Sequence, residues 1–166
     1  VTIDDERRVT GVYGGELRRA HIEAMKQSER QSKVVLDEPV DIVVTTNAGY
    51  PLDLTYYQGI KGMAGAVPIV KPGGTIILAQ ENAEGIGGPE FTQIMAQASS
   101  PAEFMQRAFS GEVCCIDQWQ VQELEDVLRH CEVMNYSTGI DQDTQRGLFV
   151  EPVTSVEAGV EAALTK

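Results

Sequence analysis

The sequence predicts an α/β fold: a mostly parallel sheet flanked by helices, in a single domain. Two short, nearly unbroken apolar runs, Val40–Val44 and Thr75–Ala79, have the form of strands buried on both faces. The segment between them suits a helix, and strand, helix, strand in that order makes a right-handed parallel crossover. The chain has 166 residues, the usual length of one domain, and such a chain buries roughly two-thirds of its unfolded surface.

The elements follow in order. Val1–Ile3 and Val9–Tyr13 read as a short hairpin turning through the charged Asp4–Arg8. Gly14-Gly15 breaks the pattern before a helix from Glu16 to Gln31, whose mixture of apolar and charged positions marks an amphipathic surface helix. After the first buried strand, the loop Thr45–Pro51 leads to a helix with Asp53 as its expected N-cap, ending before Pro68 or at the turn Lys71-Pro72-Gly73-Gly74. A glycine-rich loop (Glu84–Gly88) follows the second strand. Helices are expected at Phe91–Ala98, Ala102–Phe109, Gln118–His130 and Val156–Leu164, and strands at Val133–Tyr136 and Leu148–Val150.

Composition narrows the function. Acidic residues outnumber basic ones 25 to 13, for a net charge of -12. Such a surface repels a phosphate backbone, and the densest basic pairs are only Arg7-Arg8 and Arg18-Arg19, so no nucleic-acid partner is expected. No apolar stretch approaches the ~20 residues that span a bilayer, and no signal peptide is visible; a cytoplasmic protein without a membrane partner is expected. The cysteines, Cys114, Cys115 and Cys131, form neither a disulfide framework nor a metal-ligand spacing with His21 and His130. Buried, reduced thiols and no bound metal are the expectation.

The richest segment is TTNAGYPLDLTYYQGIKG, Thr45 to Gly62. It begins where a strand ends, and open α/β sheets bind ligands at the carboxyl ends of their strands. Gln58 and Lys61 are three apart and Tyr57 and Lys61 four apart, so the three share one helix face. A phenol, an amide and a cation converging there suit a small carboxylate; a solvated helix face with Tyr57 partly packed is the plainer reading. Gly59, Gly62 and Gly65 point to close packing or to a nearby ligand. The Glu84–Gly88 loop is a surface loop or, if its amides are free, an anion cradle. Asp117 is placed to cap the helix that carries Trp119, the single tryptophan, which serves as a packing anchor or closes over a cofactor or partner. Lys71–Leu78 has the look of a late methyltransferase strand, without the glycine fingerprint that should precede it.

Taken together, YGGELRRAH (13–21), DIVVTTNAGYPLD (41–53), YYQGIKG (56–62), GGTIIL (73–78), EGIGGPEF (84–91) and DQWQVQ (117–122) resemble, in order, the C-terminal domain of the nickel-dependent lactate racemase family. The pairing of NAGYPLD with YQGIKG is the specific part. The resemblance implies that residues 1–166 are the C-terminal domain of a two-domain 2-hydroxyacid racemase or epimerase. The absent N-terminal domain would be its partner, holding a nickel-pincer nucleotide and the acid/base histidines. It further implies that Tyr57, Gln58 and Lys61 bind a small 2-hydroxy acid, that Trp119 faces the cofactor, and that this chain alone holds no cofactor and is inactive. The family's glycine loop often reads D-G-H-G; here it is Glu84-Gly85-Ile86-Gly87, which leaves open which 2-hydroxy acid is used. A stand-alone module for a small carboxylate or a partner protein, and a methyltransferase-like domain, are the alternative functions.

Overall fold

The computed structural model describes residues Val1–Lys166 and divides into two compact units, Val1–Asp37 and Glu38–Lys166. In the first, strands β1 (Thr2–Ile3) and β2 (Val9–Gly11) pair antiparallel. Asp4 holds their turn, accepting from the Arg8 amide at 2.9 Å and from Arg8 Nε at 2.7 Å. Helix α1 (Leu17–Ser32) is capped by the Glu16 carboxylate, which accepts from the Arg18 and Arg19 amides, and buries no residue.

The second unit is the α/β fold expected from the sequence. Strands β3 (Val40–Thr46), β4 (Val70–Gln80), β5 (Glu132–Ser137) and β6 (Glu151–Pro152) form one parallel sheet in the order β3-β4-β5-β6. Along β4 the side chains alternate between two cores, as strand geometry requires. Ile76 and Leu78 join the larger core, which is covered by α2 (Tyr56–Ala66) and α5 (Gln118–His130) with α3 (Pro89–Gln97) and α4 (Pro101–Phe109). Ile77 joins Met134 and Ala163 in the smaller one, under α7 (Val156–Leu164). Helices therefore cover both faces of β4, and its continuous apolar run TIIL follows from that.

Several local expectations change. β3 is an edge strand, and of its residues only Val43 is buried; Val44 is 50% exposed. An apolar run thus marked a strand but overstated its burial. Lys71–Gly74 is not a turn but lies within β4, where Val40 pairs with Val70 and Ile42 already pairs with Thr75. The extra residues are accommodated as an irregularity in the ladder. Leu148–Val150 is not a strand. Those residues follow α6 (Gln142–Gly147), a helix the apolar pattern does not announce, because its residues QDTQRG include no large apolar side chain. Asp141 starts it by accepting from the Thr144 amide at 2.9 Å. Of the cysteines, Cys131 is buried, Cys115 half-buried and Cys114 exposed, which corrects the expectation of three buried thiols; all are free.

Candidate functional site

Helix α2 leaves the carboxyl end of β3 and turns one side to the core: Tyr56, Gly59, Ile60 and Met63 are buried. Tyr56 is fixed by its hydroxyl, which donates to the Leu148 carbonyl at 3.0 Å; burial pushes its ionisation far above the usual range for a phenol. The backbone approaches the sheet so closely that a Cβ at Gly62 would stand 2.8 Å from the Thr46 carbonyl oxygen, and one at Gly59 would collide with the Gln80 amide. Packing accounts for these two glycines. Gly65 faces open space.

Asp53 does not cap α2. It is buried, and its Oδ2 accepts from the Glu81 amide at 3.3 Å, tying the NAGYPLD loop to the end of β4. Thr55 occupies the cap position without a side-chain bond. The glycine loop after β4 closes the helix start instead: the Gly85 and Ile86 carbonyls accept from the Tyr56 and Tyr57 amides at 3.0 and 2.9 Å. Its Glu84 and Gly85 amides are taken by the Leu54 and Asn82 carbonyls. The loop thus offers carbonyls to α2 and spends its first two amides on neighbouring carbonyls. Gly87 has φ +153, and a Cβ there would lie 2.9 Å from Tyr57 Cβ, so the loop is a backbone wall against Tyr57.

On the other side of α2, Tyr57, Gln58 and Lys61 meet Trp119 from the first turn of α5. Lys61 Nζ donates to Gln58 Oε1 at 2.8 Å and lies 5.5 Å from the Tyr57 ring centroid and 5.8 Å from that of Trp119. Both distances fall within cation–π range. Tyr57 packs edge-on against Trp119, with centroids 6.0 Å apart, and against Phe91 at 5.1 Å. Its hydroxyl donates to Asp117 Oδ1 at 3.2 Å. Partial burial, then the Asp117 charge, raise the Tyr57 ionisation above its ordinary value. Trp119 is 46% exposed, so one edge of this aromatic corner faces outward.

The four side chains singled out in the sequence are thus brought together at the carboxyl ends of β3 and β4. Two contributors were not expected at this site. Phe91 packs under Tyr57, and Asp117 gives its carboxylate to Tyr57 rather than to the cap of α5; it makes no side-chain cap bond and sits at φ +67. The sequence DQWQ carried an acidic residue beside the tryptophan, but a standard cap position explained it without Tyr57.

One property of Lys61 stands out in so acidic a chain. The other four lysines, Lys26, Lys33, Lys71 and Lys166, are each paired with a carboxylate. Lys61 pairs with none and keeps its charge on an amide and two ring faces. No group of three or more His, Cys, Asp or Glu residues stands together as a metal site, and His130 Nε2 is engaged with the Val70 carbonyl at 3.0 Å. These residues do not fit a nickel centre, and the aromatic–cationic corner offers no ligand for one. No helix is long and apolar enough to cross a membrane.

The fold and this corner define an α/β domain of the kind that offers a polar ligand site at its strand ends. Residues 35–166 match the family described as lactate racemase C-terminal domain, and the chain belongs to that family. It is 30% identical over 168 residues to a lactate racemase from Lactiplantibacillus plantarum, which covers 100% of this chain and 39% of the relative. To a lactate racemase from Thermoanaerobacterium thermosaccharolyticum it is 30% identical over 167 residues, 98% of this chain and 38% of that one. The structure of the lactate racemase apoprotein from the latter organism superposes with a TM-score of 0.86 at 28% identity, over 98% of this chain and 39% of that chain. The chain therefore spans about two-fifths of the length of the relatives it matches.

Proposed function

We propose that this chain is the substrate-side half of a 2-hydroxyacid racemase or epimerase, with Lys61 and Gln58 holding the substrate carboxylate. The observation that carries the reading is Lys61, the one lysine with no carboxylate partner, held on Gln58 between two rings. A cation so placed is held in position yet uncompensated, and it accepts an incoming carboxylate without first breaking an ion pair. Trp119 and Tyr57 give the same spot an apolar wall, which suits a small acid with a short carbon body. Family membership and the two lactate racemases at 30% identity support the choice of acid.

Racemising the carbon that bears the hydroxyl requires the substrate to be held at its carboxylate end while that carbon becomes planar and is re-formed on either face. Lys61 and Gln58 supply the fixed end, and such orientation is worth much of the barrier to a two-component reaction. The nickel-pincer nucleotide implied by the family would be held by a further domain and would supply hydride transfer at that carbon. This chain gathers no group of three or more His, Cys, Asp or Glu residues that would hold its metal. A general base for the hydroxyl proton is likewise expected from that domain, because none of the four gathered residues is a histidine or a carboxylate.

Chiral analysis of the natural protein, complete with any segment beyond this chain, tests the reading. D- and L-lactate, or another 2-hydroxy acid, should each run to a mixture of both enantiomers. The 166-residue chain alone should convert neither and retain no nickel after chelation. Stoichiometric nickel on the isolated chain, or a natural protein that leaves every 2-hydroxy acid unconverted, contradicts it.

A further inference from the structure

We infer that Asp117 is a positioning residue of this site: its carboxylate anchors the Tyr57 hydroxyl and so sets the aromatic corner in which Lys61 stands. The inference rests on the reading of Tyr57, Gln58 and Lys61 as a substrate site, but its own geometry is independent of any substrate.

Asp117 occupies the residue before α5 and would ordinarily cap it. It does not: φ is +67 and the side chain makes no cap bond. The helix start is satisfied by other means. The Gln118 amide donates to the Cys115 carbonyl at 3.5 Å, and the Gln120 amide donates to the Asp117 carbonyl at 3.0 Å. A left-handed backbone favours glycine, and aspartate is tolerated there at some cost. The carboxylate reaches instead across to Tyr57, 60 residues away in sequence, whose hydroxyl donates to Oδ1 at 3.2 Å. Asp117 stands two residues before Trp119, so one short segment supplies both the anchor and the outer wall. Tyr57 is thereby held at four places: by Asp117, by Phe91 and Trp119 through edge-on ring contacts, and by Gly87 behind its Cβ. Of these, only the Asp117 contact fixes the far end of the ring. Releasing it lets the ring pivot away from Trp119 and from the Lys61 ammonium.

The negative charge has a second consequence. Besides Asp117, Glu123 is the acidic residue acting on the Tyr57 hydroxyl, and both oppose formation of tyrosinate. Tyr57 therefore stays a proton-bearing donor committed to Asp117 and serves as a wall, with its proton unavailable to the reacting substrate.

The test uses Asp117→Gly, which keeps the left-handed backbone relaxed, together with Asp117→Asn, Tyr57→Phe and the double variant Asp117→Gly/Tyr57→Phe. Trp119 is the only tryptophan of these 166 residues, so in the 166-residue chain its emission and acrylamide quenching report on this corner alone. Asp117→Gly and Tyr57→Phe should each shift the emission, and the double variant should add nothing to the larger single effect. Alkaline difference absorbance, referenced to Tyr57→Phe, should show Tyr57 ionising at lower pH in Asp117→Asn, because a negative charge beside it has gone. In the natural protein, Asp117→Gly should raise KM about tenfold with a smaller change in kcat, as for loss of one charge-assisted hydrogen bond, and Asp117→Asn should recover most of it. Unchanged Trp119 emission and an unchanged Tyr57 titration in Asp117→Gly and Asp117→Asn overturn the inference, whatever Lys61 proves to do. If the spectroscopic coupling is present while substitution of Lys61 leaves activity intact, the positioning stands and the assignment of the substrate site fails instead.

Discussion

The two units of the chain use similar amounts of apolar patterning to opposite ends. In Glu38–Lys166 the apolar side chains of α2 and α5 close over β4, and Ile60, Met63, Val121 and Leu124 are fully buried. In Val1–Asp37 helix α1 buries nothing, Leu17 is 84% exposed, Val12 76%, and the only buried residue is Thr2. The family match begins at residue 35, close to the division between the units. A period of 3.6 in the sequence says that a helix has an apolar face; it does not say that anything within the same chain covers it.

The largest expected difference is in stability. Ile77→Ala empties a fully buried position against Gly159 of α7 and should cost about 2–5 kcal/mol in urea unfolding. Leu17→Ala in α1 should stay within about 0.5 kcal/mol. Comparable losses from the two substitutions would show that α1 is packed in solution. By the same comparison, residues 38–166 expressed without the first unit should unfold in one cooperative step with the midpoint of the whole chain. A collapse of that transition would mean the second core depends on Val1–Asp37. Smaller is Tyr56→Phe, which leaves the Leu148 carbonyl without its partner inside the core and should cost about 1–3 kcal/mol. The adjacent Tyr57→Phe should change stability less, since its hydroxyl bonds an only half-buried carboxylate.

The smallest effect is a pH dependence shared by both units. Glu16, through the Arg18 and Arg19 amides, and Asp141, through the Thr144 hydroxyl and amide, are held below their ordinary values of 4.5 and 3.8. Each contributes helix stability that is present above those values and lost as pH falls through the lowered one. Circular dichroism should show shallow fraying of α1 and α6 in that acid range. Glu16→Gln should remove the part belonging to α1; an unchanged profile would mean that its cap is not formed.

Much of this was legible in the sequence, for physical reasons that also explain the failures. The run at Thr75–Ala79 is buried because helices cover both its faces, whereas the similar run at Val40–Val44 lies at an open edge, and no local pattern distinguishes the two. The bounds of α5 and α7, Gln118–His130 and Val156–Leu164, were readable to the residue. α6 was invisible because its stability comes from the Asp141 cap and the buried Gln145, which accepts from Asn135 at 2.9 Å. Helical spacing was enough to group Tyr57, Gln58 and Lys61. The joining of Asp117 to Tyr57 and the use of loop carbonyls to start α2 depend on chain segments far apart in sequence, which spacing does not report.

The most direct measurement is kcat/KM for 2-hydroxy acid racemisation by the natural protein carrying Lys61→Ala, beside the exposed control Lys33→Ala. A charge-assisted hydrogen bond is worth roughly 1.5–3 kcal/mol, and about 1.4 kcal/mol is tenfold in a rate constant. Lys61→Ala should therefore lower kcat/KM by about ten- to more than a hundredfold, with folding and cofactor content unchanged. Lys61→Arg should recover it only in part, since a wide, forked guanidinium replaces a compact ammonium between two rings. If Lys61→Ala behaves like Lys33→Ala, the unpaired lysine is an ordinary surface cation and this helix face does not hold the substrate.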